Sequence, residues 1–141
     1  MKTRYSHQLA VRFADTDCQG HVFFANYLTY CDEGLTGYMQ AIGLPWSQFN
    51  DSGYDMVYAR AQIDYQGRAK FGDQLSIGTK IARIGDTSIT TYFAIERPAD
   101  GDRICTGEVV SVCLDRASGV PIRVPDSLRE AVATFEIQSA S

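Results

Sequence analysis

The segment Val11 to Tyr27, VRFADTDCQGHVFFANY, gathers residues that can do chemistry on one short stretch. It holds two acids (Asp15 and Asp17), a cysteine (Cys18), a glycine (Gly20) and a histidine (His21). A helical period begins close behind, so these residues sit on a loop leading into a helix N-terminus. The first turn of a helix offers unpaired backbone N–H groups and a partial positive charge. Such groups polarise a carbonyl and stabilise the oxyanion formed when it is attacked. A carboxylate beside them can attack that carbonyl or activate a water. A thioester suits this pairing, because its carbonyl is electrophilic and its thiolate leaves readily.

Other readings of the same residues must be weighed. An acid ahead of a helix often serves as a cap, and Asp15 reads as a loop hydrogen-bonder. Cys18 and His21 form a C-x-x-H pair, which suggests a nucleophile with its base or half a zinc site. The only other histidine is His7, on a strand, so no second half of a metal site exists and none is expected. His21 reads as a group that orients the loop or touches substrate.

The elements that position this loop follow from periodicity. Tyr5, His7, Leu9, Val11 and Phe13 alternate with polar neighbours and predict a strand with one buried face. From about Phe24 to Ile42 the residues Leu28, Cys31, Leu35, Tyr38, Met39 and Ile42 make one stripe of a helix, with Thr29, Asp32, Glu33, Thr36 and Gln40 opposite. Gly43-Leu44-Pro45 stops it. Gly34 and Gly37 each weaken a helix by about 1 kcal/mol relative to Ala, which implies close packing or space for a ligand. Strand patterns follow. Val57, Ala59, Ala61, Ile63 and Tyr65 share one face of the first; Leu75 to Ile81, Ile89 to Ile95 and about 103–115 give three more, with turns at Gly85-Asp86, Pro98 to Gly101 and Asp115 to Gly119. A last short helix starts near Pro125-Asp126 and buries Leu128, Ala131, Val132 and Phe135.

The predicted architecture is therefore α+β: an antiparallel five-stranded sheet, one long helix and a short C-terminal helix. One helix cannot cover both faces of such a sheet. The sheet is expected to curl around it and to offer its other surface or an edge to a second subunit. The 141 residues read as one domain, 1–141. Seventeen acidic against 13 basic residues give a net charge of −4, which argues against non-specific binding to nucleic acid or anionic membrane. No signal-like or membrane-spanning run is present, so a cytoplasmic location with free thiols at Cys18, Cys31, Cys105 and Cys113 is expected.

The stretch resembles the signature of the hotdog-fold 4-hydroxybenzoyl-CoA thioesterase family, which includes short-chain acyl-CoA thioesterases associated with the Tol-Pal system. The pattern is met by Phe13, Asp15, Asp17, Gly20, Val22, Asn26 and Tyr27. Tyr65 with Phe71-Gly72-Asp73, Ile84-Gly85 through Ser88, and Asp115 with Gly119 through Pro125 resemble later family elements. The resemblance implies hydrolysis of acyl-CoA by a homodimer, often a dimer of dimers, with active sites between subunits and no cofactor. It implies that Asp17 is the catalytic aspartate, that the Phe24 backbone amide polarises the carbonyl, and that Gly20 allows close backbone approach. Arg68 and Lys70 are implied phosphate contacts, although Gly67 stands where the family has proline. Asp32 matches a position near the far end of the acyl group, and Gly43-Leu44-Pro45-Trp46 is similar to the hydroxybenzoyl enzymes, so an aromatic acyl group is one expectation. Trp46 also reads as a core or interface anchor. Two rivals stand beside this reading: a thioesterase for acyl groups on carrier protein, and a non-catalytic acyl-CoA-binding hotdog. A hydratase-type G-D-x-N-x-x-H segment is absent.

Overall fold

A computed structural model describes residues 1–139. Its elements are β1 (Tyr5–Ala10), α1 (Asn26–Ala41), α2 (Trp46–Asn50), β2 (Tyr54–Tyr65), β3 (Gln74–Ile84), β4 (Ser88–Arg97), β5 (Asp102–Asp115) and α3 (Asp126–Ser139). The strands form one antiparallel sheet in the order β1-β3-β4-β5-β2, curled around α1 as the α+β hotdog reading requires.

Helix α1 buries Tyr27, Tyr30, Cys31, Gly34, Leu35, Tyr38 and Met39, a stripe at steps of three and one. Each large apolar side chain fully buried there contributes about 1.5–3 kcal/mol. These side chains meet Leu75, Ile77, Ile81, Ile89, Phe93 and Ile95 of β3 and β4 in one core. The helix closes in a Schellman motif: the Gly43 N–H donates to the Gln40 carbonyl at 3.1 Å and the Leu44 N–H to the Met39 carbonyl at 2.9 Å. Gly43 adopts φ +86°, a conformation glycine reaches without strain. Helix α3 packs back on α1, with Leu128 and Val132 buried and Phe135 edge-on to Tyr38 at 5.4 Å.

The two helical glycines mark the closest approach of α1 to the sheet. A Cβ on Gly34 would lie 2.5 Å from Thr79 Oγ1 and 2.8 Å from Ile77 Cγ2, and one on Gly37 would collide with the Tyr5 hydroxyl. The neighbours of Gly34 are β-branched side chains held in a central strand, so they have little room to give. Gly34→Val is expected to cost about 3 kcal/mol through overpacking, measured by urea denaturation at fixed protein concentration. A loss under about 1 kcal/mol, the ordinary helix-propensity scale, would show that α1 stands off from β3.

Two expectations need correcting. The strand pattern that included Phe13 ends earlier: β1 stops at Ala10, a 3₁₀ turn spans Phe13–Asp15, and Phe13 is 76% exposed, edge-on to the exposed Phe71. Val11 leaves the strand because its N–H donates to the Asp73 carbonyl and its own carbonyl accepts from Gly72 N–H. In β2 the predicted alternation breaks at a register shift between Tyr58 and Arg60. That irregularity changes parity, so Tyr58 joins Ala61 on one cavity wall instead of pointing away from it.

Candidate active site

The loop ahead of α1 is fastened by five contacts. The Val22 N–H donates to the Ala69 carbonyl, and Thr16 pairs with Val22 in an antiparallel bridge. The Asp15 carbonyl accepts from Phe23 N–H at 2.9 Å and from Asn26 Nδ2 at 2.9 Å. The Tyr27 hydroxyl accepts from Ala69 N–H at 3.1 Å, which ties the helix to the β2–β3 connection. Asn26, Tyr27 and Asp15 therefore act as scaffold.

Asp15 is the hub. It is 4% exposed, and its carboxylate accepts from the Arg12 N–H, the Arg12 guanidinium at 2.8 Å and the Tyr30 hydroxyl at 2.9 Å. Burial alone would push this carboxyl up, but the bonds from Arg12 and Tyr30 outweigh it and hold it below the usual range. Tyr30 moves the other way, raised by burial first and by its bond to Asp15 second, so it stays a donor.

Asp17 lies on a tight turn. Its N–H donates to the His21 carbonyl at 3.0 Å, its carbonyl accepts from Gly20 N–H at 3.0 Å, and Gly20 takes φ +83°. The Gln19 N–H donates to Asp17 Oδ1 at 2.8 Å, an Asx-type turn. That bond fixes the carboxylate by one oxygen; among the described residues, none bonds Oδ2. Asp17 is half-buried beside His21, and it is His21 that lines the neighbouring groove.

The helix start supplies the complementary charge. Ala25 is the cap residue and has no side chain to cap with, and no acid occupies the first turn. The Phe23 N–H is taken by Asp15 and the Asn26 N–H by the Phe23 carbonyl, whereas no described residue accepts from the Phe24 N–H. The Tyr65 hydroxyl donates to the Phe24 carbonyl at 2.9 Å and so holds the following peptide, on the other side of the Phe24 Cα. A groove of about 360 Å³ opens here, lined by His21, Phe24, Tyr27, Tyr65 and Arg68 among others.

The other candidate residues fall in two places. Lys70 is exposed on the same connection as Arg68 but does not line the groove. Asp32 and Trp46 line a second cavity of about 330 Å³ farther along α1. There the Tyr58 hydroxyl donates to Asp32 at 2.6 Å and the Trp46 indole N–H donates to Thr36 at 3.1 Å. The polar stripe of α1 is thus partly absorbed by β2 and α2.

Three contributors escaped the sequence pattern. Arg97 of β4 donates to the Arg68 carbonyl and to Asp73, each at 3.0 Å, and holds the groove-lining loop. Tyr65 reads in the sequence as a strand-face position and a family match, without a role in the site. Tyr58 was hidden by the break in β2.

The cysteines are free thiols. Burial pushes Cys105 up to about 12 and Cys31 higher, so neither is a nucleophile. His21 Nδ1 lies 3.2 Å from the Val22 carbonyl and is directed to the backbone instead of to Cys18. Among the described residues, no group of three His, Cys, Asp or Glu is placed to hold a metal ion, and no helix is long and apolar enough to cross a membrane.

The model of the thioesterase-like superfamily matches residues 11–132. A 1,4-dihydroxy-2-naphthoyl-CoA hydrolase of Synechococcus elongatus is 27% identical over 128 residues, 89% of this chain and 93% of that one. Among solved structures, a 1,4-dihydroxy-2-naphthoyl-CoA thioesterase from Synechocystis superposes with a TM-score of 0.86 at 20% identity, covering 94% of this chain and 97% of that one. A gentisyl-coenzyme A thioesterase superposes with a TM-score of 0.82 at 25% identity, over 91% and 99% of the two chains.

Proposed function

Because the chain belongs to the thioesterase-like superfamily, we propose that it hydrolyses acyl-CoA thioesters to free acid and CoA, with Asp17 as the acting carboxylate. The observation that carries this reading is the uncapped start of α1 beside the Asp17 turn. The thioester oxygen accepts from the Phe24 N–H, where negative charge grows as the carbonyl carbon is attacked. Asp17 either adds to that carbon, giving a mixed anhydride that water then opens, or takes a proton from the water that adds. The C–S bond breaks and CoA leaves as thiolate. Gly20 lets the turn fold tightly enough to present the acid.

The CoA moiety lies along the groove, with Arg68 meeting phosphate and Lys70 reaching it from outside. Arg68→Ala is expected to raise KM for acyl-CoA about 3- to 10-fold with little change in kcat, as for an exposed charge contact. The effect should shrink at high salt. A kcat loss without a KM change would place Arg68 elsewhere. Two edge strands, β1 and β2, bound the sheet, and β2 carries the exposed Val57, Tyr58 and Tyr65. A second copy pairing at this edge would enclose the groove, so the working unit is a homodimer, with a dimer of dimers as its higher state.

Relatives named for dihydroxynaphthoyl-CoA and gentisyl-CoA support an aromatic acyl group, as does the aromatic wall of the second cavity. The test is CoA release, followed by thiol trapping, over a panel of aliphatic and aromatic acyl-CoAs. Turnover of aromatic members is expected; tight binding without release would instead make the chain a non-catalytic binder.

A further inference from the structure

Three cavities lie in file along the seam between α1 and β2. The groove at the helix start is bounded by Phe24 and Tyr27 on one side and Tyr65 on the other. A pocket of about 120 Å³ follows, with mostly apolar walls that include Leu28, Ala61 and Phe93. The cavity of about 330 Å³ comes last, between Leu35, Trp46, Phe49 and Met56. Asp32 and Tyr58, joined by their hydrogen bond, line both of the latter two.

Ser111 of β5 lines this last cavity and is 2% exposed. Its hydroxyl is buried and has no hydrogen-bond partner among the described residues. Folded proteins rarely leave a buried hydroxyl unmet. Cys113 and Val109, its neighbours on the same face of β5, are ordinary core residues, so an apolar side chain at position 111 would suit the packing. The hydroxyl is enclosed and has no protein partner among the described residues, so it bonds a guest whose entry shifts the side chains that enclose it.

We infer that Ser111 is a specificity-determining residue, whose hydroxyl hydrogen-bonds a hydroxyl at the distal end of the acyl group. This rests on the acyl-CoA reading above. Asn26 and Asp32 are six residues apart on α1, about 9 Å along its axis. An acyl group whose carbonyl sits at the helix start therefore presents its far end to Asp32, Tyr58 and Ser111 only if it is about two fused rings long. Asp32 accepts there, Tyr58 is already committed as donor to Asp32, and Ser111 both donates and accepts.

The test compares 6-hydroxy-2-naphthoyl-CoA with 2-naphthoyl-CoA, which differ only in the distal hydroxyl, on wild type and Ser111→Ala. Wild type is expected to prefer the hydroxylated thioester in kcat/KM, and Ser111→Ala to reduce that preference about 5- to 50-fold, the range for one buried hydrogen bond. Thermal stability of the variant should equal or exceed that of wild type, because the hydroxyl removed makes no bond in the fold. An unchanged preference, a parallel loss on both thioesters, or a destabilised variant would each overturn the inference. If wild type cleaves neither these two thioesters nor any other acyl-CoA, the hydrolase reading itself has failed. Binding of free 6-hydroxy-2-naphthoic acid against 2-naphthoic acid then decides the role of Ser111: a preference in wild type that Ser111→Ala loses sustains it, and equal binding refutes it.

Discussion

Replacing Asp17 by Asn is expected to lower kcat for acyl-CoA hydrolysis by at least about a hundredfold, the usual scale for loss of a general base or nucleophile. Asn is nearly isosteric with Asp, and its carbonyl oxygen can still accept from the Gln19 N–H, the bond that shapes the turn. The main-chain bonds from Asp17 to His21 and from Gly20 to Asp17 do not involve the side chain. The substitution therefore removes the charge and the nucleophilic oxygen while leaving the turn in place. CoA release with thiol trapping reads the rate, and a thermal midpoint within about 1 °C of wild type, well under the shift of about 3 °C for 1 kcal/mol in a domain of this size, shows that folding is intact. A rate close to wild type would remove Asp17 from the chemistry. Single-turnover hydrolysis in heavy-oxygen water separates the two roles, because only the anhydride route puts label into the Asp17 carboxylate.

Asp15→Asn is expected to cost about 2–3 kcal/mol of stability, the scale for losing hydrogen bonds to a buried charged group whose partner Arg12 is itself exposed. The carboxylate is almost fully enclosed and accepts from Arg12 and Tyr30. An amide cannot serve all three donors, since it has one acceptor oxygen and brings donors of its own. The pH dependence gives a second signature. The folded pKa of Asp15 lies below its ordinary value, so the unfolded chain binds the proton more readily. The contribution is complete above the unfolded carboxylate pKa, near about 4, and fades as pH falls through the lower folded value. The stability gap between wild type and Asp15→Asn should thus be constant at neutral pH and narrow in acid. A gap that does not change with pH would mean that the ionised form is not what the fold holds. Activity should fall as well, about tenfold, because the Asp15 carbonyl grips Phe23 and Asn26 and a slackened hub displaces the Phe24 amide.

Much of this molecule was legible in its sequence, for identifiable reasons. The stripe from Cys31 to Met39 repeats at helical spacing because it faces the sheet, and Ile89, Thr91, Phe93 and Ile95 of β4 and Val109, Ser111 and Cys113 of β5 alternate because one face of each strand is core. Gly34 and Gly37 announced a close approach, and the strands they touch are β3 and β1. What escaped the sequence depends on contacts between distant elements. Leu28 belongs to the apolar stripe yet is 39% exposed, because it borders a cavity instead of the core. The break after Tyr58 is a one-residue irregularity that no local pattern marks, and it decides that this tyrosine meets Asp32. Arg97 looked like any charge before a turn, whereas its partners Asp73, Asp100 and Asp102 make it the anchor of the Arg68 loop. In the site itself, the resemblance and the loop reading already set Asp17 apart from Asp15, and the bonding pattern adds Asn26 and Tyr27 to the residues that build the loop.

The most direct measurement is a crystal structure of the Asp17→Asn variant with an intact acyl-CoA bound. The thioester oxygen is expected about 2.7–3.1 Å from the Phe24 nitrogen, with the residue 17 side chain about 3–3.5 Å from the carbonyl carbon. A bound thioester whose carbonyl lies away from the start of α1, with residue 17 out of reach of its carbon, would contradict the proposed chemistry.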